Sequence, residues 1–434
     1  MISWLYGLQG LGIKLGLDGI RGLVGCLGHP EREFRCLLVG GTNGKGSVAA
    51  MIEGLLTAHG VRTGLFTSPH LVHPGERIRI AGRDLNDEAL ASRLARVKQA
   101  IEQGLTGGVL ETHPSFFEVM TATAFDAFRA EGVEAAVLEV GLGGRLDATN
   151  ATDPLVSVLV GVDLDHTRIL GESLEAIATE KVAIARAGRP LISGLTRQGP
   201  IRVVQRASRT LGASLVEARA WTRFEVEQDG VLTFRTPGGD YPGVELALEG
   251  RHQIDNARIA LAAFEHFVPS LGVAPDPEAV RSGFAATRWP GRLQWLPARG
   301  GRPGLLLDGA HNPAGIETLC SYLRTLTRPP AVVLFAAMSD KPAGALLEPL
   351  REFVETAVIT RPPLERAADP AEIAAAGGRL FSDVRIEPDA AAALDLACSL
   401  ARRDGYVLVA GSLYLVGEVL RLLARSSAAG PVPL

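Results

Sequence analysis

A chain of 434 residues is long enough for two or three domains with sizeable cores. With 47% apolar and 21% charged residues it has the composition of a soluble globular protein; a formal charge of −4, with basic residues scattered, argues against a nucleic-acid surface. No apolar run is long enough to span a bilayer, the stretch Met1–Ile20 is broken by Lys14 and Asp18 without a basic leader, and Cys26, Cys36, Cys320 and Cys398 form no CxxC pair. Together these predict a cytoplasmic protein in a reducing compartment, not a membrane partner.

The first strong element is the apolar run Arg35–Val39, which reads as a strand, followed by Gly41-Thr42-Asn43-Gly44-Lys45-Gly46-Ser47 and a helix over Lys45–His59. Strand, glycine-rich turn and helix in that order make a phosphate cradle. The glycines let backbone N–H groups approach phosphate oxygens, the helix N-terminus adds partial positive charge, Lys45 adds a point charge, and the Ser47 hydroxyl is placed for Mg²⁺. The standard loop puts lysine directly before the serine, whereas Gly46 intervenes here; the bland alternative is a glycine-rich turn. Lysine usage favours the cradle. The only lysines are Lys14, Lys45, Lys98, Lys181 and Lys341, so an arginine-biased chain still uses the slimmer ammonium in the loop.

Strands then follow at Thr63–Phe66, Ala135–Val140, Leu155–Val160 and Pro190–Ile192, alternating with helices at Leu85–Gln103, Phe116–Ala130, Ser173–Ala187 and Gln253–Phe267. Such alternation predicts a mostly parallel sheet with crossover helices. Arg223–Thr236 differs: Phe224 and Val226 alternate with Glu225 and Glu227, then Asp229-Gly230 turns into Val231–Phe234, a hairpin pattern. Proline and glycine become dense from Arg288 to Pro303, which places a boundary there, taken at 293/294, between a phosphate-loop domain (1–293) and a C-terminal domain (294–434). The second α/β series runs through strands at Leu305–Leu307, Ala331–Phe335, Thr356–Ile359 and Tyr406–Val409, with helices from Ala314, Ala343 and Ala390, and a loose tail from Ser426. Two α/β domains with a cleft between them follow.

Several side chains carry chemistry. Glu139 ends an apolar strand before Val140-Gly141-Leu142-Gly143-Gly144, where carboxylates face the ligand crevice of a parallel sheet. His166, in Asp163-Leu164-Asp165-His166-Thr167, also follows a strand; with Glu139 it would suit a divalent metal, or it is a loop histidine bonded to its neighbours. Asp147 is either a loop cap or a substrate contact. Lys181, after Thr179-Glu180, reads by itself as a solvated helix-face lysine paired with a carboxylate. Asp308-Gly309-Ala310-His311-Asn312-Pro313 sits at a strand end, as cleft groups or as a helix cap ahead of Pro313.

In order along the chain, Gly41–Ser47, Thr67–Leu71, Glu76–Arg79, Phe116–Glu118, Leu138–Asn150, Leu164–Thr167, Glu180-Lys181, His252-Gln253 with Asn256-Ala257, Trp289–Arg292, Asp308–Pro313 and Gly411–Gly417 resemble the folylpolyglutamate synthase / dihydrofolate synthase family of Mur-ligase-like ATP-dependent amide ligases. Gly40, where the family often has Ala, and Asp163, where Gly is usual, depart from the pattern. The resemblance implies a P-loop-containing Mur-ligase-like ATPase domain with a mostly parallel sheet, plus a smaller Rossmann-like α/β C-terminal domain. It implies that MgATP phosphorylates a substrate carboxylate and that the amine of L-glutamate attacks the acyl phosphate. Tetrahydrofolate would become folylpolyglutamate, and dihydropteroate dihydrofolate. By the same resemblance Thr42, Asn43, Gly44, Lys45, Gly46, Ser47, Asn256, Arg292 and Asp308 contact the nucleotide. Ser47 lies at a first Mg²⁺; Ser68, Glu139 and His166 hold a second. Lys181 is carbamylated, His311 acts from the second domain, and Phe117, Asp147 and Arg77 border the folate or pterin. A monovalent cation is a further implied cofactor, and the chain is expected to act as a monomer. A muramyl-peptide ligase acting on a UDP-sugar peptide, and a non-catalytic ATP-binding module, are the alternative readings.

Overall fold

The computed structural model describes residues 1–12, 14–227, 230–377, 380–401 and 405–426. Internal contacts divide the chain into two units. The first comprises Met1–Pro69, Pro74–Ala247 and Gln253–Arg288; the second comprises His70–His73, Leu248–His252 and Trp289–Leu434.

The first unit holds strands β1 (Arg35–Gly40), β2 (Thr63–Phe66), β3 (Ile78–Ile80), β4 (Arg83–Asp84), β5 (Ala135–Glu139), β6 (Val156–Leu159), β7 (Pro190–Ser193) and β8 (Ser214–Glu217). They form one sheet in the order β4-β3-β2-β5-β1-β6-β7-β8. From β2 to β8 every pairing is parallel, whereas β3 and β4 run antiparallel at one edge. The central strands are near-continuous apolar runs because both faces are covered, and β2, β5 and β6 are buried throughout. The helices Asp18–Cys26, Asp87–Thr106 and Phe116–Ala130 share one core with Leu38, Phe66 and Leu138 of the sheet. Elsewhere the helix Lys45–Ala58 meets Pro277–Ala286 backbone to backbone: a side chain at Gly54 would fall 2.7 Å from the Gly283 carbonyl.

The hairpin predicted over Arg223–Thr236 is present as β9 (Arg223–Val226) antiparallel to β10 (Leu232–Thr236), with Phe224 opposite Phe234; Asp229 of its expected turn lies outside the described residues. A third strand, β11 (Gly239–Val244), extends it. Two predicted helices are trimmed. Asn86 caps the helix at Asp87 rather than letting it start at Leu85, its side-chain oxygen accepting the Ala89 N–H at 2.9 Å. The helix expected to reach Ala187 stops at Val182, beyond which the chain tightens into turns, the Ile184 N–H donating to the Lys181 carbonyl at 3.4 Å and the Ala185 N–H to the Val182 carbonyl at 3.0 Å.

The second unit carries β12 (Gln294–Leu296), β13 (Gly304–Leu307), β14 (Val332–Phe335), β15 (Thr356–Ile359), β16 (Asp383–Ile386) and β17 (Tyr406–Ala410), ordered β12-β13-β17-β14-β15-β16. Only the β12 pairing is antiparallel among these described strands. Apolar clusters cover both faces, one built on Leu306, Val333 and Leu408, the other on Leu305, Leu334 and Val407. Along β13, β14, β15 and β17 successive residues join opposite clusters, as the pleat requires. Among the described residues no helix is long and apolar enough to cross a membrane.

Candidate active site

Four neighbouring parallel strands, β2, β5, β1 and β6, bring their carboxyl ends to one edge of the first sheet, and each runs directly into a segment singled out in the sequence. In an open α/β sheet that edge is where ligands bind. After β2 comes Thr67-Ser68, after β5 Val140–Asn150, after β1 Gly41–Ser47, and after β6 Gly161–Thr167.

The loop after β1 has the backbone that a phosphate cradle needs. Gly41 and Gly44 take φ of 147° and 83°, values that only glycine adopts easily, and Gly44 is the left-handed cap before the helix Lys45–Ala58. Neither position has room for a side chain: a Cβ on Gly41 would sit 3.2 Å from the Gly161 backbone, and one on Gly44 would sit 2.9 Å from Asn256 Oδ1. The loop is tied to the β6 end. The Thr42 N–H donates to the Gly161 carbonyl at 2.8 Å, and the Thr42 hydroxyl donates to the Asp163 carbonyl at 3.2 Å. Lys45 Nζ folds back on the Thr42 carbonyl at 3.1 Å, and Ser47 is buried at the first turn. Asn256, on the helix His252–Phe267, donates to Gln253 Oε1 at 2.8 Å while its oxygen faces Gly44. The family resemblance implies a nucleotide contact for Asn256, whereas no local sequence pattern marks Gly161, the floor beneath the loop.

Glu139 is buried, and its Oε2 accepts the Ser68 N–H at 3.0 Å, so the β2 and β5 ends are joined through two of the predicted metal-binding residues. The glycine-rich loop that follows is organised by Asp147. One of its oxygens accepts the Thr149 N–H and hydroxyl at 3.0 and 2.6 Å, and the other accepts the Leu142 N–H at 2.8 Å. Burial pushes this carboxyl above the usual range while those donors oppose the shift. The geometry is that of a loop cap. Phe117 lies against the same loop: a side chain on Gly141 would strike its ring at 2.5 Å, and Phe66 packs on it with ring centres 5.8 Å apart. Arg77 is buried, with its guanidinium 5.1 Å from the centre of the neighbouring Phe116 ring.

Lys181 departs most from its plain sequence reading. It is not a solvated surface lysine. Only 5% of it is exposed, and Nζ donates to the Gly41 carbonyl at 2.9 Å, on the phosphate loop itself. The carboxylate beside it in sequence, Glu180, instead forms a fork with Arg145 at 3.0–3.2 Å. Burial, reinforced by the charge of Lys45, lowers the Lys181 ammonium to about 7. His166 caps the short helix Thr167–Leu170 from a left-handed backbone, its N–H donating to Asp165 Oδ1 at 2.8 Å. Its side chain is 43% exposed, with Nε2 at 3.9 Å from the same carboxylate.

In the second unit, Asp308 directly follows β13 and is buried; it accepts the Leu293 and Ala310 N–H groups, each at 2.9 Å. Burial raises its carboxyl, and the nearby Arg292 works against that. His311 Nδ1 lies 2.8 Å from the Gly309 carbonyl, and Asn312 caps the helix Pro313–Leu323 by accepting the Gly315 N–H at 2.8 Å. The cap reading therefore holds for Asn312. Arg292, Asp308 and His311 cluster around Gly309.

This fold and this edge define a Mur-type ATP-dependent ligase. Residues 39–264 match the Mur ligase middle domain, and residues 291–413 match the Mur ligase glutamate ligase domain. The chain is 32% identical over 436 residues to the dihydrofolate synthase/folylpolyglutamate synthase of Bacillus subtilis, covering 97% of this chain and 98% of that one. It is 34% identical to a probable bifunctional folylpolyglutamate synthase/dihydropteroate synthase of Haloferax volcanii, of whose length it spans 50% while 98% of this chain is covered. Among solved structures, the Mycobacterium tuberculosis folylpolyglutamate synthase complexed with ADP and AMPPCP superposes with a TM-score of 0.88 at 33% identity, covering 99% of this chain and all of that one (100%). Escherichia coli FolC in complex with DHPP and ADP gives 0.86 at 29% identity over 98% of both chains. The chain belongs to the folylpolyglutamate synthase/dihydrofolate synthase family.

Proposed function

We propose that this enzyme joins L-glutamate to a folate or pteroate carboxylate at the expense of ATP, through an acyl phosphate. The observation that carries this reading is the convergence, at one sheet edge, of a glycine-built phosphate loop, a buried carboxylate joined to the β2 end, and a buried lysine held on that loop's backbone. A carboxylate is a poor electrophile because oxide is a poor leaving group, and phosphorylation removes that obstacle. The substrate carboxylate attacks the γ-phosphorus, ADP departs, the glutamate amine adds to the acyl carbon, and phosphate is expelled from the tetrahedral intermediate.

The chain's own groups support each step. Backbone N–H groups of Thr42–Gly46 and the helix N-terminus cradle the phosphates, and Lys45 neutralises charge gathering on the transferred group. Ser47, Ser68, Glu139 and His166 are the donors assigned to two Mg²⁺ ions, which would supply charge neutralisation. The two hydroxyls and the carboxylate are hard oxygen donors of the kind Mg²⁺ takes, with His166 the one nitrogen donor, and so few side chains leave room for the water and phosphate oxygens that this ion keeps in its shell. The Yersinia pestis relative was solved with AMPPNP and a Mn ion. Phe117 offers a ring to a flat heterocycle, Arg77 a nearby cation, and Asp147 holds the loop beside them. Asn256, Arg292 and Asp308 are assigned to nucleotide and His311 to the reacting end; a monovalent cation and a monomeric state complete the reading.

Lys181 is assigned as a carbamate. Carbon dioxide adds to a neutral amine and releases one proton, so an ammonium lowered to about 7 supplies a large reactive fraction at neutral pH. The deciding assay is phosphate release from MgATP. It should require both glutamate and either tetrahydrofolate or dihydropteroate. Release with a UDP-muramyl peptide instead, or with neither acceptor, would replace this reading.

A further inference from the structure

Beside this edge the first unit carries a groove that the reaction above does not use. Its volume is about 550 Å³, and it lies between the helices Leu174–Val182 and Gln198–Leu211. One wall presents Arg202, Arg206 and Arg209; the other presents Glu175 and Thr179, with Gly199 at the end. The three arginines are exposed on the side of their helix opposite the buried Val204 and Ser208. Arg202 and Arg206 have no hydrogen bond or ion pair among the described residues, and Arg209 reaches only the Gln205 carbonyl of its own helix, at 3.2 Å. Acids outnumber bases in this chain, and the arginine just before this helix, Arg197, takes a carboxylate partner, whereas these three, gathered in one hollow, have none among the described residues. Glu175 does not fill the role: its carboxylate sits over Gly199, within 2.0 Å of where a Cβ there would stand. Only the lack of a side chain at Gly199 allows that placement.

Both walls lead back to the candidate active site. The helix bearing Glu175 and Thr179 carries Lys181, bonded to Gly41, in its last turn, and the arginine helix begins after Arg197, which pairs with Asp163 of the His166 loop at 2.8 Å. Spacing then narrows the ligand. Arg202 to Arg206 rises about 6 Å along the helix axis, and Arg202 to Arg209 about 10 Å. Successive α-carboxylates of a γ-linked glutamate chain stand about 6 Å apart, an ordinary peptide repeat lengthened by two backbone bonds, so the Arg202–Arg206 step matches one repeat and Arg209, about 4.5 Å further along, is within side-chain reach of the next. We propose that the groove is a binding site for an extended polycarboxylate, the γ-glutamyl tail of a folate that already carries several glutamates. This rests on the glutamate-ligase reading for its choice of ligand.

The test uses the full chain and a folate bearing five glutamates beside one bearing a single glutamate. Changing Arg202, Arg206 and Arg209 together to Ala should raise KM for the long substrate roughly tenfold, since exposed charge pairs are each worth a few-fold. KM and kcat for the short substrate should not change. Lysine at all three positions should restore most of the difference, added salt should erase it, and Glu175→Gln should move it the other way by removing a like charge. Calorimetry with free penta-γ-glutamate, and separately with tripolyphosphate, tests the groove without catalysis. The peptide should bind the wild type and not the triple-alanine variant. Unchanged KM values in an active variant, or binding of tripolyphosphate but not of the peptide, would overturn the proposal. If the wild type incorporates no glutamate yet binds the peptide through these arginines, the ligase reading falls and the groove stands.

Discussion

A lysine whose amine is buried against a backbone carbonyl should leave a signature in stability as well as in turnover. The folded-state pKa of Lys181 lies near 7, below its ordinary 10.5. Between those values the unfolded chain holds a proton that the folded chain has shed, so stability rises with pH across that window. In CO₂-free buffer, the melting temperature of wild type relative to Lys181→Met should climb from pH 7 to about 10 and be flat below pH 6; parallel curves would place the amine in solvent. With CO₂ present, Lys181→Ala should be nearly inactive and partly restored by acetate. Lys45→Ala should lower turnover by about 10²- to 10³-fold, the cost of losing one preorganised charge on the reacting group, measured as glutamate-dependent phosphate release; near wild-type rates would remove Lys45 from the mechanism. Glu139→Ala and His166→Ala should lose more activity at low than at high Mg²⁺, and titrations superimposing on wild type would leave His166 as a loop residue. The types and strand-end positions of these residues were legible in the sequence because glycine-rich turns and strand ends leave local patterns. The Lys181 contact was not. It spans 140 positions, and the local pattern of a lysine after a glutamate points to an ion pair that the structure gives to Arg145 instead.

At the level of elements, the parallel core was readable because strands buried on both faces appear as unbroken apolar runs, as in Leu37-Leu38-Val39 and Ala136-Val137-Leu138. The side sheet was only half readable. β9 and β10 alternate, but β11 contains Pro242 and has Gly239 and Gly243 at positive φ, which is a turn signature on paper. What makes it a strand is tertiary. Glu265, on the helix His252–Phe267, accepts hydrogen bonds from Trp221 Nε1, the Thr236 hydroxyl and the Tyr241 hydroxyl, each at 2.6 Å. Three donors from the sheet and its lead-in converge on one carboxylate. Glu265→Ala would strand them, and an unmet buried donor costs about 1–3 kcal/mol. The expected loss is about 2–4 kcal/mol of stability, with hydrogen-exchange protection falling in β9 to β11 and KM for ATP unchanged. A uniform loss of protection through β1, β5 and β6 would show that the side sheet is not a separate element.

For the molecule as a whole, separate cores have a thermodynamic consequence. The apolar cluster of the first unit draws on Leu5 to Ile184, and the clusters of the second draw chiefly on Leu293 to Leu420, so each unit buries its own apolar surface. Chains built this way unfold in more than one step. The phosphate loop belongs wholly to the first unit, and a ligand that binds only the folded form stabilises what it binds by about 2.7 kcal/mol at a hundred times its dissociation constant. Calorimetry should therefore resolve at least two transitions. MgATP should raise one of them by roughly 5–10 °C, taking 2–4 °C per kcal/mol for a unit of this size. In Lys45→Ala the same transition should lose most of its shift while the other stays where it was. A single transition that moves as one with nucleotide would mean that the units unfold together, and equal shifts in wild type and variant would mean that the nucleotide is held elsewhere than on the loop after β1.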